Sequence, residues 1–333
     1  MSTSASAQND VIVVGSYNHD HVWRVDRFPT AGETRRGNTF LTGSGGKGFN
    51  QAVACARQGA PTAFIAACGD DALGALARDF AQREGMRGLW LVSPDQATGT
   101  AAILVDIRGQ NEIVVALGAN EYLTPAFVRA QESAFAQARV VLCQLENNLD
   151  AVSCALELAA AHGCLRILNP APMREGAGPE LFRAVDLLTP NETEFSQILG
   201  RCVGMRIDPT AIASENDAAL HALCRQLHVD SVVVTLGSRG AFVSHAMASR
   251  RGDADPYYRV PPEKVQTVDT TGAGDAFSGA LAAALATRPD QPFRDAVQHA
   301  SRVAAMSTER HGAAVAIPRA AEVTARFESK ASA

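Results

Sequence analysis

The sequence of 333 residues has no uninterrupted run of about 18 apolar residues, so a membrane-spanning helix is not predicted. Its seven cysteines include no Cys-x-x-Cys pair, which gives no sign of a zinc site or a disulfide framework. The net charge of −5 argues against nucleic acid or an anionic membrane as the main partner. The polar first ten residues lack the apolar core of a signal peptide, and we therefore expect a cytoplasmic protein.

Short apolar runs alternate with segments of helical periodicity along most of the chain. The strand-like runs are 11–14, 63–66, 140–143, 165–168, 187–188 and 231–235. The helical segments are 48–59, 74–85, 126–138, 150–162, 217–228 and 274–287. This alternation is typical of βαβ units, so we predict an α/β fold with a central, mostly parallel sheet and helices on both faces.

Two segments break that alternation. The first, 22–42, contains two glycines and alternating polar and apolar residues, and the second, 100–117, is typical of a β-hairpin. We predict one small accessory sheet formed by two insertions, at about 17–44 and 98–118, which could serve as an active-site lid. The rest of residues 11–325 would form one domain between tails at 1–10 and 326–333. The edges and apolar face of such a lid need cover, which favours a homodimer joined through the lids.

The first glycine-rich segment lies at residues 41–50. Gly43, Gly45 and Gly48 have the spacing of a dinucleotide-binding fingerprint, but they do not follow the first strand as that fingerprint requires. A phosphate-binding P-loop is not favoured, because Lys47 is followed by glycine rather than serine or threonine. Glycines allow backbone N–H groups to approach a ligand closely, and Lys47 and Asn50 add donors suited to sugar hydroxyls. The alternative is a plain glycine turn before a helix.

The second glycine-rich segment gives the strongest functional signal. Gly272, Ala273 and Gly274 form a small-residue turn that opens an apolar helix, where free N–H groups and the helix dipole create a site for a phosphoryl group. Asp275 follows in the first helical turn. A carboxylate beside an anion site is unfavourable unless it has a chemical role, and accepting a proton from an attacking hydroxyl fits that role. The alternative is that Asp275 only caps the helix.

Two further segments carry polar groups near the ends of predicted strands. Asn191, Glu192 and Glu194 offer oxygen ligands that could hold a hydrated Mg²⁺, although acidic residues also occur in a first helical turn because of the helix dipole alone. The segment 235–240 is a glycine turn at the carboxyl end of a strand, where ligands of open α/β sheets bind.

Polar residues also follow the first predicted strand. Asn18 and Asp20 are two residues apart, so their side chains can face the same way in an extended segment. His19 and His21 suggest a metal site, but the sequence shows no third ligand, and solvent-exposed histidines are the favoured interpretation.

These motifs, in this order, resemble those of the ribokinase family of sugar kinases. The segment GGKGFNQ at 45–51 resembles the first signature of the family, and DTTGAGD at 269–275 resembles the second. Further similarity lies in NPAP at 169–172, TPNETE at 189–194 and TLGSRG at 235–240. The similarity covers about residues 11–318. It implies a central sheet flanked by helices, a small β lid, and ATP-dependent phosphorylation of a sugar such as ribose at its 5-hydroxyl. It also implies Mg²⁺ and a monovalent cation, typically K⁺, as cofactors.

The resemblance implies a role for individual residues. The sugar hydroxyls would be bound by Asn18, Asp20, Gly45, Gly46, Lys47, Asn50 and Glu146. Asp275 would be the base, and the turn of Gly272, Ala273 and Gly274 would stabilise the transferring phosphoryl group. The nucleotide side would be formed by Asn191, Thr235, Gly237, Ser238, Gly240, Gly274 and Ser301. The cations would be held by Glu194 on the Mg²⁺ side and by Asp269, Thr271, Ser307, Arg310 and Gly312 on the K⁺ side.

The sequence departs from the family pattern at Phe49, Ser301 and Ala316. Ala316 stands where a serine usually adds a ligand to the cation, which implies weaker K⁺ activation. A deoxyribokinase or nucleoside kinase would use the same mechanism, but Asn18 favours ribose, because deoxyribose would leave its side chain unpaired. Two alternatives belong to other functional classes. A non-catalytic sugar sensor is not favoured, because Asp275 is retained together with the anion site. A dehydrogenase is not favoured, because the dinucleotide-binding fingerprint does not follow the first strand.

Overall fold

The computed structural model describes residues 10–247 and 252–327. The strands are β1 Val11–Val14, β2 Asn18–Arg24, β3 Thr39–Gly45, β4 Thr62–Gly69, β5 Arg87–Ser93, β6 Gly99–Val105, β7 Asn111–Ala116, β8 Val140–Cys143, β9 Leu165–Leu168, β10 Leu187–Leu188, β11 Ser231–Thr235, β12 Ala241–His245 and β13 Tyr257–Val260. The α-helices are α1 Lys47–Arg57, α2 Ala72–Arg83, α3 Pro125–Arg129, α4 Glu132–Phe135, α5 Leu149–Ala161, α6 Pro179–Arg183, α7 Glu192–Val203, α8 Pro209–Ile212, α9 Asp217–Arg225, α10 Ala273–Thr287, α11 Phe293–Ser307 and α12 Ala320–Phe327.

The main sheet has the strand order β13-β12-β11-β10-β9-β8-β1-β4-β5. Within this sheet, the seven neighbouring strands β11, β10, β9, β8, β1, β4 and β5 pair in parallel. Among the described strands of the sheet, β12 and β13 join antiparallel at one edge. β1 is apolar throughout because both of its faces are covered: Val11 and Val13 pack with α1 and α10 on one side, and Ile12 and Val14 pack with α5 on the other. The predicted α/β fold with helices on both faces is confirmed.

The smaller sheet has the order β3-β2-β6-β7. β2 and β3 come from the first predicted insertion and β6 and β7 from the second, and β6 and β7 form the predicted antiparallel hairpin. β2 also pairs with β6 in parallel, which joins the two insertions into one sheet. The predicted accessory β-sheet is therefore present, and it starts directly from the end of β1, so the lid adjoins the edge where the main strands end.

Some elements differ from those expected from the sequence. The helix expected at 126–138 is divided into α3 and α4, and the short helix α8 was not expected. The antiparallel edge of β12 and β13 was not expected. The predicted tails at 1–10 and 326–333 fall mostly outside the described residues, and Arg326 and Phe327 belong to α12. Among the described helices, none combines the length and apolar character needed to cross a membrane.

Candidate active site

The predicted site residues gather at the carboxyl edge of the main sheet. Asn18 follows β1, Glu146 follows β8, Asn191 follows β10, and Thr235 is the last residue of β11. Strand ends in an open parallel sheet meet at one edge, which is where such sheets bind ligands.

The turn at 272–274 opens α10 towards this edge. Gly272 is the N-cap of α10 and has a left-handed backbone with φ of 74°, which favours glycine. A Cβ atom at this position would also lie 3.1 Å from Ala313 Cβ, so the position is tight as well as strained for other residues. Ala273 and Gly274 then begin a helix of 15 residues, whose dipole favours negative charge at this end.

Asp275 is buried, and its two carboxylate oxygens accept separate hydrogen bonds. Asn50 Nδ2 donates to Oδ2 at 2.9 Å, and Gln51 Nε2 donates to Oδ1 at 3.0 Å. Gly272, and not Asp275, is the N-cap of α10. The carboxylate is held by α1, and Asp275 also lines the cavity described next.

A cavity of about 160 Å³ lies in front of the turn. Its walls are formed by Lys47, Asn169, Ala171, Thr189, Asn191, Glu194, Thr235, Thr270, Gly272, Ala273, Gly274 and Asp275. The structure thus brings together the turn at 272–274, the predicted base Asp275, and Asn191 and Thr235 of the predicted nucleotide side. Asn169, Ala171, Thr189 and Thr270 also line the cavity, and no role was predicted for them from the sequence.

Lys47 lines this cavity at the start of α1. Burial alone lowers the pKa of its ammonium group, but the carboxylates of Asp275, Glu146 and Glu194 outweigh burial and raise it. Lys47 therefore stays charged and balances the carboxylates that surround it.

Asn191 and Glu194 form a capping box at the start of α7. Glu194 N donates to Asn191 Oδ1 at 2.9 Å, and Asn191 N donates to Glu194 Oε2 at 2.9 Å. Both residues line the cavity as well, so the capping role does not remove them from the site. Burial raises the pKa of Glu194 to about 7, which a neighbouring cation would reverse.

The glycine turn after β11 lies beside Asn191, because Asn191 and Thr235 form a parallel β-bridge. Gly237 and Ser238 belong to a short 3-10 turn, and Leu236 N donates to Gly240 O to close it. Ser301 lies half-buried on α11 and is not among the residues that line the cavity, so its predicted adenine contact stays a prediction.

The predicted sugar-binding residues converge where β2 and β3 meet. Asn18 pairs with Gly45 across the two strands, and Asp20 lies two residues further along β2. Gly46 has a φ of 88°, and a Cβ atom there would lie 2.5 Å from Asn18 N, so the turn needs glycine. Burial, with the nearby carboxylates of Glu146 and Asp275, raises the pKa of Asp20 to about 7.

Glu146 and Asn120 hold Asn18 in place by hydrogen bonds, and Glu146 also holds the backbone of Lys47. Glu146 accepts hydrogen bonds from Lys47 N at 3.0 Å and from Asn18 Nδ2 at 3.4 Å, as well as from the Ser16 hydroxyl. Asn120 donates from Nδ2 to Asn18 Oδ1 at 3.0 Å and to Tyr17 O at 2.8 Å. Asn120 could not be predicted from the sequence, because a single asparagine after a hairpin matches no motif.

His19 and His21 lie on the lid with their rings 5.2 Å apart. The ring of His21 stacks near Trp23 and Phe40. Across the described ranges, 10–247 and 252–327, no group of three or more histidine, cysteine or acidic side chains is arranged to hold a metal ion.

The loop at 307–312, which is predicted to hold K⁺, lies behind the turn at 272–274. Asp269 accepts from Thr271 N at 2.9 Å and from Gly312 N at 3.1 Å. Burial alone would raise the pKa of Asp269, but the hydrogen bonds from Thr271 and Gly312 outweigh it and lower the pKa. The Ser307 hydroxyl donates to Ala304 O, and its oxygen keeps lone pairs for a cation. The Arg310 guanidinium is itself a cation and pairs with Glu322, so Arg310 could contribute only its backbone carbonyl.

Comparisons with known proteins agree with this geometry. Residues 8–320 match the model of the pfkB family carbohydrate kinases. The ribokinase of Haemophilus influenzae is 36% identical over 308 residues, covering 92% of this chain and 94% of that protein. A ribokinase structure from Giardia lamblia superimposes with a TM-score of 0.85 at 28% identity, covering 97% of this chain and 99% of that chain. The Arabidopsis thaliana ribokinase complexed with ribose and ATP gives 0.78 at 28% identity, covering 96% and 98%. The chain therefore belongs to the pfkB family of carbohydrate kinases and is a phosphotransferase that acts on an alcohol group.

Proposed function

We propose that this chain is an ATP-dependent ribokinase, which transfers the γ-phosphoryl group of ATP to the 5-hydroxyl of D-ribose and releases ribose 5-phosphate and ADP. The observation that carries the proposal is the position of Asp275, whose carboxylate lies on the wall of a cavity beside the helix-opening turn at 272–274. A base next to an anion site is what phosphoryl transfer to a hydroxyl requires. The similarity to ribokinases over nearly the whole chain supports ribose as the sugar.

In the proposed reaction, Asp275 accepts the proton of the 5-hydroxyl as its oxygen attacks the γ-phosphorus. The backbone N–H of Gly274, at the start of α10, would stabilise the developing negative charge, whereas Ala273 N donates to Thr270 O at 3.2 Å. Lys47 lines the same cavity and is held charged by three carboxylates, so it would balance the negative charge of the phosphates. The phosphoryl transition state is loose, so most of the rate enhancement comes from positioning and charge stabilisation.

The sugar would lie between the lid and the first glycine turn. Asn18 and Asp20 project from β2 there, and Gly46 lets the backbone approach closely. Asn120 fixes the amide of Asn18, so Asn18 is held in place before a sugar arrives. A hydrogen-bonding group held in this position favours ribose, because deoxyribose lacks the 2-hydroxyl that would bind to it.

The nucleotide and cation sites are part of the same proposal. The oxygen atoms of Asn191 and Glu194 suit Mg²⁺, and since the capping box engages them, contact through water fits best. Bound Mg²⁺ would neutralise charge on the phosphates of ATP, which would lie towards Thr235 and the 235–240 turn. The Asp269 carboxylate and the backbone carbonyls of the 307–312 loop fit a K⁺ site, which would order the neighbouring turn.

We further propose that two copies pair through their lids. Leu41, Ile113 and Val115 lie on one face of the lid and are 51%, 49% and 41% exposed, although all three are apolar. Burying this face against a second lid would remove that apolar area from water. We place the reaction in the cytoplasm, where seven cysteines that are free thiols in this structure would stay reduced.

A coupled ADP-release assay over a panel of sugars tests the proposal. Ribose, deoxyribose, fructose and nucleosides are compared at saturating MgATP and K⁺, and we expect the highest kcat/KM with ribose. Equal or better turnover of deoxyribose or a nucleoside would replace ribokinase by the related activity. Sugar binding without ADP release from any member of the panel would indicate a non-catalytic sugar-binding protein.

A further inference from the structure

A chain of buried amides lies directly beneath the proposed base. Gln51 on α1 is fully buried, and its Nε2 donates to Asp275 Oδ1 and to Asn169 Oδ1, each at 3.0 Å. Its Oε1 accepts from Gln144 Nε2 at 2.6 Å. Gln51 is not among the residues that line the cavity. It therefore reaches the reaction only through Asp275 and the neighbouring amides.

The direction of the Gln51 amide is fixed by groups that cannot exchange roles. Asn169 Nδ2 donates to the backbone carbonyl of Thr189 at 2.8 Å, which leaves Asn169 Oδ1 facing Gln51 as an acceptor. The Asp275 carboxylate is a second acceptor. Two acceptors require the NH₂ group of Gln51 to point towards them, and its oxygen then meets the NH₂ group of Gln144. A reversed amide would place oxygen against oxygen at both contacts.

We propose that Gln51 is a positioning residue for phosphoryl transfer, which holds the Asp275 carboxylate in the orientation that accepts the hydroxyl proton, and that Gln144 keeps the Gln51 amide in the required direction. The inference rests on the proposed role of Asp275. Asn50 Nδ2 holds the other carboxylate oxygen, so two consecutive residues of α1 fix the carboxylate plane. Each carboxylate oxygen keeps further lone pairs, so one of them can still accept the substrate proton.

Gln51→Leu tests this inference, because leucine has a similar size but donates no hydrogen bond. We expect kcat to fall by roughly 10²-fold, as for other small misplacements of reacting groups, while KM for the sugar stays within about threefold. Gln144→Leu removes only the partner of Gln51 Oε1, and we expect a smaller fall in kcat, again without a change in KM. The control is Gln58→Leu near the end of α1, since Gln58 is also a buried amide with a backbone partner but lies away from Asp275. Its kcat should equal that of the wild type.

A double-mutant cycle separates positioning from a purely structural role. In an Asp275→Asn background, Gln51→Leu should leave the residual kcat within about twofold, because the carboxylate that it positions is absent. An equal loss of kcat in both backgrounds, or an effect on KM alone, overturns the inference. If Gln51→Leu does not fold, the same cycle with Gln144→Leu decides. The cycle uses whichever sugar the wild type turns over best, so a wrong assignment of ribose does not affect it, whereas full activity of Asp275→Asn alone would refute the proposed base instead.

Discussion

Gly279 lies one turn after Asp275 on α10, where α10 packs closest against α1. A Cβ atom at this position would lie 2.3 Å from Gln51 O and 2.6 Å from Ala54 Cβ. Ordinary contacts begin at 3.4 Å, so Gly279→Ala must move the two helices apart by about 1 Å. Overpacking of this kind destabilises a protein by about 1 to 3 kcal/mol.

The same movement should reach the active site. Asn50 and Gln51 lie on α1 and contact Asp275 at 2.9 and 3.0 Å, so a separation of about 1 Å takes both hydrogen bonds out of range. We expect kcat to fall by roughly 10²-fold, the usual effect of a 1 Å misplacement.

The assay combines kcat from coupled ADP release with the midpoint of urea unfolding. Gly200→Ala on α7 is the control, because its Cβ atom would lie 3.6 Å from the nearest atom. Its kcat should stay at the wild-type value, and its urea midpoint should not fall, because alanine is more favourable than glycine in a helix interior by up to about 1 kcal/mol. The reasoning is refuted if Gly279→Ala unfolds at the wild-type urea concentration and keeps kcat within twofold.

Three further predictions concern pH and the cation. The pKa of Asp20 is raised to about 7, so the carboxyl becomes neutral as pH falls from 8 to 6 and KM for ribose should rise, whereas KM of Asp20→Asn should stay flat. Burial, with Arg288 and Arg302 nearby, lowers the pKa of His299 to about 4. Between pH 6.5 and 4, the unfolded chain therefore binds a proton that the folded protein does not. Urea unfolding of the wild type should show that about 2 to 3 kcal/mol of stability is lost over this range, and His299→Gln should not show this loss. Ala316→Ser should lower the K⁺ concentration that half-activates the enzyme, measured by titration with KCl against choline chloride, and equal values would contradict the K⁺ site.

Local chemistry made part of the site predictable from the sequence. The turn at 272–274 and the following Asp275 lie within four consecutive residues, and their small side chains and single carboxylate already indicate an anion site with a base. The apolar run of β1 also indicated a strand that is covered on both faces, because burial on both sides removes the alternation of polar and apolar residues.

The contacts that hold the base in place could not be predicted. Gln51 and Asp275 are 224 positions apart and meet only because α1 and α10 pack on the same face of the sheet. Asn120 is likewise 102 positions from Asn18. The direction of β12 and β13 was also undetermined, because a short apolar strand has the same pattern whether it pairs in parallel or antiparallel.

The most direct test of the proposed function is the turnover of Asp275→Asn with ribose and ATP. Asparagine has nearly the same size but cannot accept the hydroxyl proton, so kcat should fall by roughly 10²-fold or more. Calorimetry should show ribose binding close to that of the wild type, because the residues proposed to bind the sugar hydroxyls lie on other elements. Near-normal turnover by a correctly folded Asp275→Asn protein would contradict the account.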